Sequence, residues 1–232
     1  QAFTGNSYIQ QMVSSEVTQF VQRSEATGSA PVGLALRMRF NPNLEQSWFG
    51  SLMEIINNVT MLSIILTGAA LIREREHGTI EHLLVMPVSP AEIMLAKVWA
   101  MGSVVALAAL MSLLLIVRGA LQVPIEGSLA LFMLVTVLHL FATTSMGIFM
   151  ATVARSMPQF GMLTVLVLLP LQLLSGGSTP RESMPVPVQD IMLAAPTTHF
   201  VAAGQAILYR GAGLEVIWPQ LLAILAIGLV LF

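Results

Sequence analysis

The densest run of titratable side chains in this 232-residue sequence is Arg73-Glu74-Arg75-Glu76-His77, continued by Gly78-Thr79-Ile80-Glu81-His82-Leu83-Leu84. Two histidines beside glutamates invite a metal reading. His77 and His82 do not share a helical face, however, and no His-Glu-x-x-His string is present, so the ligand spacing of a zinc site is missing. The chain has no cysteine, which removes thiolate ligation and a disulfide framework. Gly176-Gly177-Ser178-Thr179 lacks the lysine and the spacing of a phosphate-binding loop, and no nucleophile–base constellation is visible. What remains is recognition. Gly78 lets the chain leave one helix, Thr79 can cap the next, and Glu81 suits a helix N-terminus. Ile80, Leu83 and Leu84 share an apolar face at i, i+3 and i+4, and Pro87 stops the turn. This pattern suits a short helix lying on a membrane surface and offered to a partner; a plain charged hairpin is the alternative.

A second group of polar residues sits inside apolar sequence. Glu54, Asn57 and Asn58 fall near the start of the first long hydrophobic run, where a carboxylate facing lipid is costly and should turn to water or a partner helix. They are candidates for a substrate pathway, with an interfacial cap as the plainer role. His139 lies among Val137, Leu138, Leu140 and Phe141. A proton relay is one reading, and a histidine hydrogen-bonded between helices is the better one. Below it Thr143, Thr144, Ser145 and Gly147 suit close helix packing, and the scattered methionines suit helix interfaces better than a soft-metal path.

The elements that position these residues follow from composition. Hydrophobic residues make up 56% of the chain, charged ones only 9%, and the mean hydropathy is +0.82. A soluble domain carries roughly a quarter charged residues, so this is an all-α, polytopic integral membrane protein. The net charge of -2 and the absence of a basic run speak against a nucleic-acid partner. Five apolar runs, about 53–72, 98–117, 129–153, 159–174 and 217–232, are read as spans, with a charged loop at 73–97. Residues 1–50 are more polar, with an amphipathic helix from Tyr8 to Val21 and a brief strand-like alternation at Leu34–Phe40, and are read as the end of an extracytoplasmic α/β domain. The stretch 179–210 is too short in each apolar piece to span and too apolar for a free loop, which predicts re-entrant or interfacial helices. Ser89-Pro90-Ala91-Glu92 and Thr179-Pro180-Arg181-Glu182 both read as capping boxes, and Arg210-Gly211 as a helix C-terminus.

The string Glu74-x-Glu76-x-Gly78-Thr79-x-Glu81-x-Leu83, with Pro87 and Lys97 beyond it, resembles the cytoplasmic signature of ABC-2 type export permeases. Arg39-Phe40-Asn41-Pro42, Ala154-Arg155-Ser156, Leu174-Ser175-Gly176, Met184-Pro185 and Pro196-Thr197-Thr198-His199-Phe200 agree in order and spacing, nearest to the bacterial inner-membrane multidrug-exporter branch. The resemblance implies a six-span fold in which the five runs are the second to sixth, the first span and the C-terminal end being absent from this sequence. It makes Glu74, Glu76, Gly78, Thr79, Ile80, Glu81, Leu83 and Leu84 the helix that couples to an ABC ATPase. It places Ser175, Gly176, Met184, Pro185, Pro196 and His199 at an outer gate formed by paired half-helices. It further implies a catalytically silent permease in the bacterial inner membrane, with ATP and Mg²⁺ on the partner and no cofactor or metal of its own, and a homodimer or a pair with a related permease. It admits a periplasmic adaptor, and the implied cargo is a small amphiphilic or drug-like molecule. A secondary transporter or channel is the competing class, for which inverted repeats and mid-membrane charges are expected.

Overall fold

A computed structural model of the chain describes Met12, Ser15 and residues 46–78, 87–123 and 125–232. The chain divides into the compact units Gln1–Glu45 and Gln46–Phe232, and it is the second that is described below. The helix and strand expected before residue 43, and the segment Thr79–Met86, lie outside the described residues.

Every regular element among the described residues is helical. α1 runs Gln46–Glu76, and Gly78 with φ 70° takes the chain out of it. α2 runs Pro90–Met111 and continues without a break into a π-helical stretch, Ser112–Ala120. α3 spans Leu129–Val153 and α4 Met157–Leu174. A single 3-10 turn at Arg181–Ser183 precedes α5 (Val186–Met192) and α6 (Pro196–Arg210), which meet at 90°. α7 closes the chain at Leu214–Leu231. Five of these helices, the second counted through its π-helical end, are long and apolar enough to cross a membrane, or six spans if the bent α5–α6 pair is counted as one.

Local chemistry accounts for the boundaries. The Ser89 side chain accepts from Glu92 N–H while the Glu92 carboxylate accepts from Ser89 N–H at 2.7 Å, so the predicted capping box starts α2 at Pro90. Residues 90–97 are therefore helix rather than part of a loop reaching to residue 97, and Arg73 to Glu76 complete α1. Gly211, left-handed at φ 64°, ends α6 with Gly211 N–H to Ile207 O at 3.0 Å and Ala212 N–H to Ala206 O at 2.9 Å. The second expected box does not form: Thr179 caps nothing and Arg181–Ser183 makes only one turn. Pro185 explains this, since its ring would clash with the Arg181 carbonyl of a continuing helix and it keeps Met184 extended. α5 starts after that proline. α7 begins at Leu214, ahead of Pro219, rather than at 217, because a proline so near the helix start forgoes only the bond to the Glu215 carbonyl.

α3 is the central helix and packs against α1, α2, α6 and α7. One apolar cluster joins the first half of α1, the second half of α2, α3, α6 and α7 through Leu52, Ile56, Val105, Phe132, Phe200 and Ile217. Another joins the second half of α1 to α4 and the α5–α6 bend through Ile64, Ile72, Phe160, Leu171 and Met192. Between them the α1–α3 seam is polar and small. Ser63 donates to Thr143 Oγ1 at 2.7 Å, and Gly147 lies so near α1 that a Cβ there would be 2.7 Å from Ile64 O.

Candidate functional site

The charged end of α1 is a junction of four helices. Lys97 of α2 pairs with Glu74, a contact half sheltered from solvent. The Arg75 guanidinium donates to Ala154 O at 2.9 Å, at the C-terminal end of α3, where carbonyls lack helical partners and a cation meets the negative end of the dipole. The Glu76 carboxylate accepts from Met157 N–H at 3.0 Å, the first residue of α4, where the complementary rule holds. Three consecutive side chains thus each hold a different helix. Arg155 N–H donates to Gln159 Oε1 at 2.9 Å and tightens the α3–α4 turn. Glu74 and Glu76 of the expected coupling site are in this junction, and Gly78 stands exposed at the exit from α1. Thr79, Ile80, Glu81, Leu83 and Leu84 lie in the segment outside the described residues.

At mid-membrane, His139 is fully buried and its Nε2 lies 2.9 Å from Thr60 Oγ1 on α1. Its ring stacks on Phe200 of α6, with centroids 4.1 Å apart. The histidine therefore joins α3 to both α1 and α6, with the interhelical hydrogen bond its sequence position suggested. It does not line an open space.

Glu54 and Asn58 do. They stand on one face of α1, the Asn58 amide donating to Glu54 Oε1 at 3.0 Å, beside a groove of about 420 Å³ between α1 and the far end of α2. Ser51 and Ser112 are the other polar groups of its wall, and the rest is apolar, including Val59, Leu62 and Ile116. Asn57 is half-buried and outside the lining, as is His139, so the four pathway candidates separate into an open pair, Asn57 apart, and a buried histidine.

The expected gate residues fall on the chain between α4 and α6. Ser175 is buried at the C-cap of α4, and Gly176 follows with φ 96°. Met184 is buried, its carbonyl accepting from Gln189 Nε2 at 2.9 Å, and Pro185 precedes α5. Pro196 opens α6, and the His199 ring nitrogen is 2.9 Å from Leu193 O, bracing the right-angled bend. α6 is 15 residues, roughly 22 Å at the α-helical rise, against about 30 Å of hydrocarbon. It is nonetheless deeply packed, with Phe200, Ala203 and Ile207 wholly buried.

Reading from sequence missed the backbone partners of Arg75 and Glu76, the Phe200–His139 stack and the α2 wall of the groove. Opposite charge on Glu74 and Lys97 was the one available signal for the junction. A three-dimensional neighbour such as Ala154 O leaves no trace in residue type.

Comparison with known proteins adds an independent line. The family model described as ABC-2 type transporter matches residues 3–209. The chain is 66% identical over 228 residues to the inner membrane transport permease YhhJ of Escherichia coli K12, covering 98% of this chain and 61% of that protein. It is 30% identical over 222 residues to the probable multidrug ABC transporter permease YbhR of the same organism, covering 95% and 59%. ABC transporter G family member 20 of Dictyostelium discoideum is 28% identical over 167 residues, 71% of this chain and 23% of that protein. The chain thus spans about three fifths of the length of its bacterial relatives.

Proposed function

The chain belongs to the ABC-2 type transporter family, and on that footing we propose that it is the membrane-spanning part of an ATP-driven exporter in the bacterial inner membrane. Its cargo is a small amphiphilic or drug-like molecule, in keeping with the name of its relative YbhR, a probable multidrug ABC transporter permease. ATP and Mg²⁺ are held by a partner ATPase that docks at Thr79–Leu84, and two permeases pair around the transport path. The segment 175–210 forms the outer constriction.

The observation that carries this reading is the helix junction. A push delivered to the connection between α1 and α2 meets Glu74, Arg75 and Glu76, which hold α2, α3 and α4. Motion at that one surface is therefore transmitted to the ends of four helices at once, as a permease driven from outside requires. Gly78 makes the exit from α1 possible, because its φ of 70° is open to glycine and to few other residues.

The test is co-purification of the ATPase with variants of the full-length permease. Leu83→Asp places a charge in the apolar face and should cost about 2 kcal/mol or more of binding, abolishing association and transport. Gly78→Pro cannot adopt the positive φ and loses the N–H that bonds Arg75 O, so it should fail likewise, whereas Gly78→Asn should be tolerated. Full ATPase binding and turnover by Leu83→Asp would make the segment an ordinary connector and remove the proposal's physical support.

A further inference from the structure

We infer that the groove between α1 and the π-helical end of α2 is a binding site for lipophilic cations, with the Glu54 carboxylate as their counter-charge. The inference rests on the exporter reading for its role and names the class of cargo.

Three observations point the same way. The groove, at about 420 Å³, falls within the roughly 300–1,000 Å³ of small-molecule sites. Among the described residues Glu54 is the sole charged one of its wall, and no lysine or arginine there lines it to neutralise the carboxylate. Asn58 donates to Oε1 alone, no partner among the described residues meets the second oxygen, and the side chain is exposed to the groove. The rest of the wall is mostly apolar, Val59, Leu62 and Ile116 included, so a hydrophobic ion seated in the groove meets hydrocarbon along its body and a carboxylate at one end. The same walls repel small hydrated ions, which would have to shed water against apolar side chains. A cation wrapped in hydrocarbon meets both demands.

The opposite wall is shaped for this. Ser112, Ile116 and Val117 belong to the π-helical stretch and all line the groove. A π-helical turn is wider than an α-helical one, and such turns are found disproportionately at functional sites. Leu121 N–H bonds to Ile116 O at 2.8 Å, so the wide winding is held to the end of the helix. Among the described residues no aromatic side chain lines the groove, and the selection proposed here rests on Glu54 and on apolar contact.

The experiment compares two ions of nearly the same size and shape but opposite charge, tetraphenylphosphonium and tetraphenylborate. Equilibrium binding is measured to the full-length permease assembled with its ATPase, without nucleotide. The wild type should bind the cation and discriminate against the anion. Glu54→Gln, which keeps the size and the Asn58 contact, should weaken cation binding about tenfold or more. Ala108→Phe, which fills the groove, should weaken binding of either ion, with the thermal unfolding midpoint showing that both variants stay folded. Unchanged cation binding in Glu54→Gln overturns the inference, and so does equal affinity of the wild type for the two ions. A second permease copy or another protein segment seated in the groove would also overturn it. That outcome would appear as Ala108→Cys shielded from thiol reagents in the assembled complex, together with cation binding indifferent to Glu54. Because binding is read without nucleotide, an ATPase that fails to associate sinks the exporter reading alone. An active complex whose cation binding ignores Glu54 sinks this inference alone.

Discussion

At the scale of single residues, His139 separates packing from hydrogen bonding. It donates or accepts one bond across to Thr60 and lies flat on Phe200 within a fully buried setting. Interhelical hydrogen bonds in membranes average only about 0.6 kcal/mol, because the separated helices find other partners in lipid. A cavity of aromatic size costs more, about 3 kcal/mol. Thr60→Val, which removes the hydroxyl and keeps the shape, should therefore lower stability by about 1 kcal/mol, while His139→Ala should lower it several times further. Unfolding in graded denaturing detergent gives the comparison; equal losses would mean the hydrogen bond and not the stack dominates. If His139 only joins helices, His139→Met should retain transport, whereas loss of turnover in a folded His139→Met protein would restore a part in proton movement. The sequence suggested a bonded histidine from its apolar neighbours, but Thr60 and Phe200 come from helices far along the chain and could not be named.

At the scale of elements, the α1–α3 seam depends on residues without bulk. A Cβ at Gly147 would meet the Ile64 backbone, which cannot move without parting the two helices. At Gly102 of α2 the nearest atom would be Leu140 Cβ at 3.9 Å, an ordinary contact. Two glycines inside membrane helices thus carry opposite predictions. Gly147→Ala should destabilise, by about 1–3 kcal/mol as overpacking typically does, and Gly147→Leu more. Gly102→Ala should stabilise by about 0.4–1 kcal/mol by removing glycine's backbone freedom from a helix. The same detergent titration decides, and a stabilising Gly147→Ala would show the seam to be looser than its geometry. Such closeness is legible only as a run of small residues from Thr143 to Gly147, which marks a packing face without saying against what. Cap signals were legible where the next few residues agreed with them, as at Ser89 and Gly211. They misled at Thr179, where Pro185 arrives before a second turn can form. The junction charges were legible as a cluster but not by their contacts: Arg75 and Glu76 meet backbone groups of α3 and α4, which no residue type announces.

At the scale of the molecule, the helix ends fall into two sets. The junction gathers the end of α1, the start of α2, the end of α3 and the start of α4. At the opposite end Glu126 N–H bonds Leu208 O at 3.2 Å, tying the α2–α3 connection to the end of α6 near the start of α7. Around the junction stand Arg73, Arg75, Lys97 and Arg155, and at the other end Arg118, Arg181 and Arg210, with Arg23, Arg37 and Arg39 in the long polar segment that the sequence assigns to the outer side. Short loops rich in lysine and arginine stay on the cytoplasmic side of a bilayer. The bias lies in density per residue of connecting segment rather than in number, and it favours the junction side as cytoplasmic. We therefore expect residues 73–97 and Arg155 in the cytoplasm and 175–213 on the outer side. Ser89 and Ser178 are both exposed, and the sequence has no cysteine to interfere. In right-side-out vesicles an impermeant maleimide should label Ser178→Cys and spare Ser89→Cys, and inverted vesicles should reverse the pattern. Both sites labelled from one side would mean that the helices between them cross the membrane an even number of times. The three membrane-length helices α2, α3 and α4 separate Ser89 from Ser178, an odd number, so that result would require one of them to lie along the surface and would undo the two-ended arrangement on which the proposed coupling at the junction depends.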